Sequence, residues 1–259
     1  EEEYDLAHKS YANAAKQLQT TKTWNYLSSI CAARSLLEKG EELSRAEKHS
    51  ESIESISSAL GTFRDAKKEL EDRLGKVGGA IEEKELKDWL KVARQREPYC
   101  QGRRELEEAS VLEKKGEKAA SSSKYRSAAE TFKALAVETD SIQDRGEYQT
   151  LAQFCEAWAR MKTAELKAAP ELFADAAESF MKAKESTTRD RFRFLALANA
   201  SICRALEAGT RFRLTRDTGL YSEIKKQLET AADYYQEAGF EKTGSWTRAT
   251  QRLFAALVY

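Results

Sequence analysis

Side chains that could carry out acid–base chemistry or hold a metal ion are sparse in this sequence. The two histidines, His8 and His49, have no carboxylate, cysteine or serine at a spacing that would build a catalytic triad or a ligand set. We therefore interpret each histidine as a solvated or helix-capping residue. Carboxylates are abundant, but they occur in faces rich in Glu and Lys, which is typical of solvated helices. No GxGxxG or GxxxxGK motif is present. The sequence predicts no catalytic residue, no metal site and no cofactor.

The four cysteines, Cys31, Cys100, Cys155 and Cys203, lie far apart and form no CxxC motif. This spacing predicts small apolar residues buried between helices rather than a zinc site or a disulfide framework. Unpaired thiols favour a reducing compartment. The acidic N-terminus does not resemble a signal peptide, and no apolar run is long enough to span a bilayer. We expect a cytoplasmic protein, and the absence of an initial Met is compatible with a fragment of a longer chain.

Positive and negative charges balance, with 43 Lys and Arg against 43 Asp and Glu. A protein that coats nucleic acid would usually be basic, so no nucleic-acid partner is expected. One segment is nevertheless rich in arginine. Its members are Arg189, Arg191, Arg193, Arg204, Arg211, Arg213 and Arg216.

Four of these arginines, Arg189, Arg193, Arg204 and Arg211, follow a spacing that places them with Ala200 along one ridge of a continuous helix. Two interpretations of this ridge remain open. It is an anchor for an acidic peptide, a C-terminal carboxylate or a nucleotide, because guanidinium groups bind carboxylates and phosphates through paired hydrogen bonds. Alternatively, it is a solvated ridge whose arginines pair with acidic residues of neighbouring helices.

The elements that must position these residues are helices, because the chain contains only 2 prolines and 12 glycines among many good helix formers. Apolar periodicity predicts about ten to eleven helices. They cover approximately residues 2–19, 24–40, 50–74, 81–96, 100–119, 124–138, 148–168, 171–184, 190–209, 221–238 and 243–257.

Several residues are predicted to separate these helices. Thr20, Thr21 and Thr23 offer caps, and Pro98 ends one helix or begins the next. Ser121, Ser122 and Ser123 provide a polar break. The GKVGG segment at residues 75–79 is the expected hinge of a single domain 1–259, separating 1–74 from 80–259.

A small–aromatic–small pattern recurs along the chain. In this pattern a small residue is followed by an aromatic residue four positions later and by a second small residue three positions after that, so all three lie on one helical face. The pattern occurs at Ala7, Tyr11 and Ala14; at Ala59, Phe63 and Ala66; at Ala176, Phe180 and Ala183; at Ala231, Tyr235 and Ala238; and, with Leu135 in the last place, at Ala128 and Phe132. Repetition of one packing unit on the second helix of successive hairpins predicts an α-solenoid. A non-repeating helical bundle is the alternative.

In this pattern the chain resembles a divergent tetratricopeptide-like repeat protein. The resemblance is strengthened by Gly116 and Ala164, which precede Ala128 and Ala176 by twelve residues each. It implies a curved, right-handed α-solenoid of helix hairpins. The long, irregular hairpins with interspersed cysteines are also similar to the soluble attachment proteins of the membrane-fusion machinery.

The resemblance further implies that the first helix of each pair lines a concave face that binds extended or helical peptides. Its register places on that face Arg34, Leu37, Glu41 and Ser44; Ser110, Glu113 and Glu117; Trp158, Met161, Glu165 and Ala168; and Leu206, Thr210 and Arg213. Trp158 and Met161 would be the apolar contacts, because buried aromatic anchors dominate many interfaces.

We therefore expect an adaptor or scaffold without catalytic activity that binds a protein or peptide, an acidic one included. The alternative function is a ligand-sensing regulatory module of a larger protein, with a closed pocket near Trp158 and the arginine ridge. The apolar end of the last helix, Phe254 to Tyr259, is interpreted as a cap, the stump of a removed repeat or a surface for dimerisation through the C-terminal helix.

Overall fold

The structure is a computed structural model that describes residues 2–19 and 25–258. Within these residues it contains ten α-helices and no strand, which confirms the predicted all-α class. The helices are α1 (Glu2–Gln19), α2 (Asn25–Arg45), α3 (His49–Leu74), α4 (Ala80–Lys114), α5 (Lys118–Glu138), α6 (Ile142–Lys167), α7 (Pro170–Ser186), α8 (Asp190–Thr215), α9 (Leu220–Glu237) and α10 (Glu241–Val258). The predicted caps Thr20, Thr21 and Thr23, together with Trp24 and Tyr259, lie outside the described residues.

Helices that follow one another along the chain pack side by side, as expected for an array of helix hairpins. The chain divides into two compact units, residues 1–108 and 109–259, and the division falls within α4. Each unit is built from successive helices, so the predicted α-solenoid arrangement of hairpins is confirmed. Residues 75–79 connect α3 to α4 without helical structure, and their action as a hinge stays a prediction.

Four of the five copies of the small–aromatic–small pattern lie in the core, and the copy on α1, at Ala7, Tyr11 and Ala14, is partly buried. The copies on α3, α5, α7 and α9 are buried: Ala59, Phe63, Ala66, Ala128, Phe132, Leu135, Ala176, Phe180, Ala183, Ala231, Tyr235 and Ala238. Gly40 extends the same principle to α2, because a Cβ atom there would lie 2.6 Å from Cγ1 of Ile56 on α3. Small residues therefore set how closely neighbouring helices approach.

Pro98 does not end a helix, so the predicted boundary there is wrong. Helix α4 is 35 residues long and contains Pro98 in its interior. Proline in a helix interior costs about 3 kcal/mol relative to alanine. Contacts with α3 oppose this cost, since Glu97 accepts hydrogen bonds from Arg64 at 2.8 Å and from Lys67 at 2.9 Å.

The polar break predicted at Ser121, Ser122 and Ser123 is also wrong. The chain turns earlier, at Gly116, whose φ of +79° is the left-handed conformation that glycine adopts readily. Ser121 and Ser122 instead lie buried in α5 and donate hydrogen bonds to backbone carbonyls of neighbouring helices, at Ala109 (2.9 Å) and Ala159 (3.0 Å). Serine therefore acts here as a small packing residue.

The end of α6 provides a test of backbone strain, because Ala168 has φ +50° and ψ +40°. An L-residue in this region costs about 1 kcal/mol, which glycine avoids. We expect Ala168→Gly to raise the free energy of unfolding by about 1 kcal/mol. The matched variant Ala174→Gly, at an exposed position inside α7, should lower it by about as much. Chemical denaturation measures both, and two changes of the same sign would contradict the explanation.

Candidate functional site

The first helices of the hairpins in unit 2 are α6 and α8, because α7 and α9 carry the small–aromatic–small pattern. Side chains from α6 and α8 meet at their N-terminal ends around an open groove of about 390 Å³. We call it the α6–α8 groove. Its lining residues are Ile142, Gln143, Gly146, Glu147, Thr150, Ser186, Thr187, Thr188, Arg189 and Phe192.

The groove combines an apolar surface with a pair of opposite charges. The Ile142 side chain is 85% exposed, and Phe192 packs against Phe154 with ring centroids 5.8 Å apart. Arg189, at the N-cap of α8, donates a hydrogen bond of 3.1 Å to Glu147 on α6. Both side chains remain in contact with water, so the pair contributes little to stability and its groups can contact a second molecule.

The indole of Trp158 is partly buried and packs among other rings. Tyr125 stacks on it at 5.5 Å, and the rings of Phe154 and Phe180 lie 5.3 Å and 6.1 Å away. Met161 is only 5% exposed. Both residues thus contribute to the core of unit 2, and their contact with a partner stays a prediction.

The buried side-chain amide of Asn199 connects three helices of unit 2 through hydrogen bonds. Asn199 on α8 accepts hydrogen bonds from Trp158 Nε1 at 3.3 Å and from the Tyr235 hydroxyl at 3.0 Å, and its own amide donates to the Leu195 carbonyl. Helices α6, α8 and α9 are therefore joined at one residue. The sequence contained a signal for this role, since Asn199 is one of two polar residues, with Ser201, in the apolar run 194–203.

Two predicted site residues, Glu113 and Glu165, are brought together by a residue that sequence reasoning missed. Lys162 is 3% exposed, and its ammonium group lies 2.5 Å from Glu113 and 2.7 Å from Glu165. The Tyr125 hydroxyl donates to Glu113 at 3.1 Å. Burial lowers the pKa of Lys162, but the two carboxylates outweigh it and the net pKa is raised. Lys162 is therefore positively charged at neutral pH.

The remaining candidates are dispersed. Glu117 is exposed at the N-cap of α5, where its side chain forms no capping hydrogen bond. In unit 1 the Arg34 guanidinium lies 5.9 Å from the centre of the Tyr11 ring, and burial and Arg96 lower its pKa.

The arginine ridge lies along α8. This helix continues past Gly209 to Thr215, so Arg211 is on the same helix as the other ridge arginines, as the predicted spacing assumed. Its arginines differ in their partners. Arg193 contacts Asp190 at 3.4 Å, and Arg211 contacts Glu207 at 2.6 Å. Arg204 and Arg213 are exposed and form no ion pair with any residue that the structure describes. Only Arg189 among the ridge residues lines the groove.

Unit 1 contains a buried carboxylate that the sequence did not indicate. Glu107 is fully buried and accepts hydrogen bonds from Ser44 at 2.6 Å and from His49 at 2.7 Å, with Arg103 at 3.6 Å. His8 likewise contacts Ser35 of α2, at 2.7 Å. The interpretation of both histidines as solvated or capping residues is therefore wrong, because their partners lie on other helices.

Three of the four cysteines, Cys100, Cys155 and Cys203, are buried as predicted, whereas Cys31 is only partly buried. Burial raises the pKa of Cys100 and of Cys203 to about 12, so these two thiols are protonated at neutral pH. Within residues 2–19 and 25–258 no helix is long and apolar enough to cross a membrane. Among the same residues, no three His, Cys, Asp or Glu side chains converge as metal ligands would.

Comparison of this chain with protein-family models, with curated proteins and with solved structures found no match. A function for this chain therefore has to be inferred from the geometry of its described residues.

Replacement of Asn199 by Leu should destabilise unit 2, because it removes the side-chain oxygen that accepts hydrogen bonds from the Trp158 N–H and the Tyr235 hydroxyl. Each buried donor left unpaired costs about 1–3 kcal/mol, so we expect a loss of about 2 kcal/mol or more. Chemical denaturation followed by tryptophan fluorescence measures it. In the Asn199→Leu background, Tyr235→Phe removes one hydroxyl that has lost its hydrogen bond to Asn199 and should recover part of the loss. A fully stable Asn199→Leu variant would contradict this role.

Glu107 should make unit 1 sensitive to acid. Burial raises the pKa of this carboxyl, but the His49 hydrogen bond, the Arg103 charge and the Ser44 hydrogen bond together hold it below its usual value. Since the folded-state pKa is lowered, the stabilisation is complete above about pH 4.5 and is lost as the pH falls through the folded-state pKa.

The variant Glu107→Gln separates this contribution from that of other carboxylates. It should lower the free energy of unfolding at pH 7 by about 3 kcal/mol, because it breaks a buried charge pair. Between pH 7 and pH 3 the difference from the unmodified protein should shrink. Denaturation curves at each pH measure this difference, and a constant difference across the range would contradict the assignment. Glu108→Gln, at the partly exposed neighbouring residue, serves as the control.

Proposed function

We propose that this protein is an interaction scaffold and that the α6–α8 groove receives an extended segment of a partner protein. The observation that carries the proposal is the open groove of about 390 Å³, in which an exposed apolar side chain lies beside a water-accessible arginine. Grooves of this size and mixed lining bind a few residues of a peptide. The chemistry needed is recognition rather than catalysis.

The groove favours a peptide that presents one apolar and one acidic side chain. Ile142 and Phe192 offer an apolar surface, and covering it removes Ile142 from water. The Arg189 guanidinium has five N–H donors in one plane, so it can keep its hydrogen bond to Glu147 and bind a partner's carboxylate as well. Glu147 disfavours additional acidic groups nearby, which limits the peptide to one carboxylate at this position.

The groove involves two of the helices that the repeat resemblance assigns to the binding face, although none of the residues that its register places on that face lines the groove. In tetratricopeptide-like proteins, which this chain resembles, the first helices of successive pairs line the peptide-binding surface. The α6–α8 groove lies between two such helices. We therefore propose a tetratricopeptide-like mode of binding, with the contact displaced from Trp158 toward the N-terminal ends of α6 and α8.

The alternative function, a ligand-sensing module, depends on a closed pocket near Trp158. The rings of Tyr125, Phe154 and Phe180 pack against this indole, and Asn199 accepts its N–H. These contacts pack the indole against the core of unit 2. They favour the scaffold over the sensor.

Gly146 allows the groove to be blocked without disturbing the core, because a Cβ atom there meets no other atom within 4 Å. A phage library of random 12-residue peptides should be panned against the protein, and the enriched peptides synthesised with a fluorophore. Their affinities are measured by fluorescence anisotropy. Gly146→Phe and Arg189→Glu should each weaken binding at least about ten-fold, a loss typical of a central contact.

Two controls separate the groove from the rest of the arginine ridge. Gly146→Ala keeps the groove open and should bind the peptides as the unmodified protein does. Arg204→Glu changes an exposed arginine of the same helix outside the groove and should also leave binding unchanged. If no peptide is enriched, or if the enriched peptides bind Gly146→Phe normally, the proposed site is wrong. If Arg204→Glu alone weakens peptide binding, the binding site lies at the middle of α8 instead of at the groove.

A further inference from the structure

The last helix, α10, carries a stripe of apolar side chains that face solvent. Trp246 is 77% exposed and Leu253 is 63% exposed, and Ala249 and Ala256 on the same side of the helix are exposed as well. The opposite side of α10 packs against α9, where Gly244 approaches the Ala232 carbonyl and Gln251 is buried. The stripe is therefore the outer face of a helix whose inner face is already occupied.

The residues of this stripe repeat the pattern that packs helices elsewhere in the chain. Ala249 is followed by Leu253 after four residues and by Ala256 after three more, which is the small–large–small spacing with leucine in place of the ring. On α3, α5, α7 and α9 every member of the pattern is at least 92% buried. The copy on α1, at Ala7, Tyr11 and Ala14, is partly buried, and among the described residues α10 is the helix on which all three members of the pattern are exposed. This contrast indicates a surface built to pack against another helix.

We propose that the occupant is α10 of a second copy of this chain, packed antiparallel about a two-fold axis that crosses the helix pair at the level of Gln251. Trp246 and Ala256 are each five residues from Gln251, on opposite sides, and Ala249 and Leu253 are each two residues from it. Reversal of the helix therefore exchanges each large residue with a small one. Trp246 of one copy faces Ala256 of the other, and Leu253 faces Ala249.

This exchange makes the stripe complementary to itself, which is the requirement for a two-fold interface. The four residues also alternate in steps of three and four, the spacing of the seam in a helical coiled coil. A helix from an unrelated protein could match the stripe only by having the same alternation of sizes. A second copy has this alternation because its sequence is identical, and reversal puts it at the correct spacing.

The dimer should be weak, because the contact consists of a single pair of helices. Eighteen residues of α10 span about 27 Å, and such a pair buries less than the roughly 1,200 Å² of a stable interface. We therefore expect a dissociation constant in the micromolar range. The stripe is separate from the α6–α8 groove, so the dimer forms or fails independently of peptide binding.

Sedimentation equilibrium of the 259-residue protein from about 1 to 200 µM tests the dimer. The unmodified protein should sediment as a monomer–dimer equilibrium, and Trp246→Ala and Leu253→Glu should each raise the dissociation constant at least about 30-fold. Leu214→Glu is the matched control, because Leu214 is 67% exposed on α8 outside the stripe. A protein that stays monomeric, or a Leu253→Glu variant that dimerises normally, overturns the proposal.

The pairing of large with small residues is tested by exchanging them. Ala249→Leu alone should weaken the dimer about ten-fold, because it places two leucines opposite each other, and Leu253→Ala alone should weaken it by leaving a gap. The double variant Ala249→Leu, Leu253→Ala restores one leucine opposite one alanine and should recover most of the affinity. A tighter dimer for Ala249→Leu, or no recovery in the double variant, overturns the antiparallel pairing.

Discussion

The close approach of neighbouring helices is the constraint on which the rest of this structure depends. At Ala176 and Ala183 a methyl group is all that separates the α7 backbone from its neighbours, and Phe180 between them is fully buried. Packing of this kind brings helix axes to the short end of the usual range of about 8–10 Å. A larger side chain at either alanine would have to push two helices apart. The pattern therefore fixes the rotation of each second helix about its own axis, and with it the direction of every other side chain.

Buried polar groups then fix the position of the helices along their axes. Apolar surfaces could slide past one another at small cost, but a hydrogen-bonded amide or charge cannot. Asn199 joins three helices of unit 2, and Lys162 lies between two carboxylates in the same unit. In unit 1 Glu107 has the same effect on α2, α3 and α4. Displacement by one residue would leave an unpaired polar group in each case. These groups therefore specify the register that the small residues leave open.

Local sequence determined most of the fold, and its failures have a common cause. The helix class and the packing pattern follow from periodicity, which depends on residues three and four positions apart. Pro98 and Ser121 to Ser123 were misjudged because contacts from other helices overrode their local preference. Glu107, the partner of His49, lies 58 residues away, and Glu113, one of the two partners of Lys162, lies 49 residues away, so no local pattern could reveal these two contacts. Of the candidate site, the sequence identified Arg189, but it could not show that Ile142 and Gly146 of another helix lie beside it.

The position of the groove depends on which parts of α6 and α8 are buried against neighbouring helices. Along the middle of α8 most residues are buried, from Leu195 to Cys203, because α7 and α9 both pack there. In the same layer Trp158 of α6 is held by rings on several sides. At the N-terminal ends of α6 and α8, Ile142 and Arg189 are exposed, and the loop that contains Thr187 and Thr188 contributes to the same groove. The exposed apolar side chain of Ile142 and the Arg189 guanidinium therefore lie in the same groove at these ends.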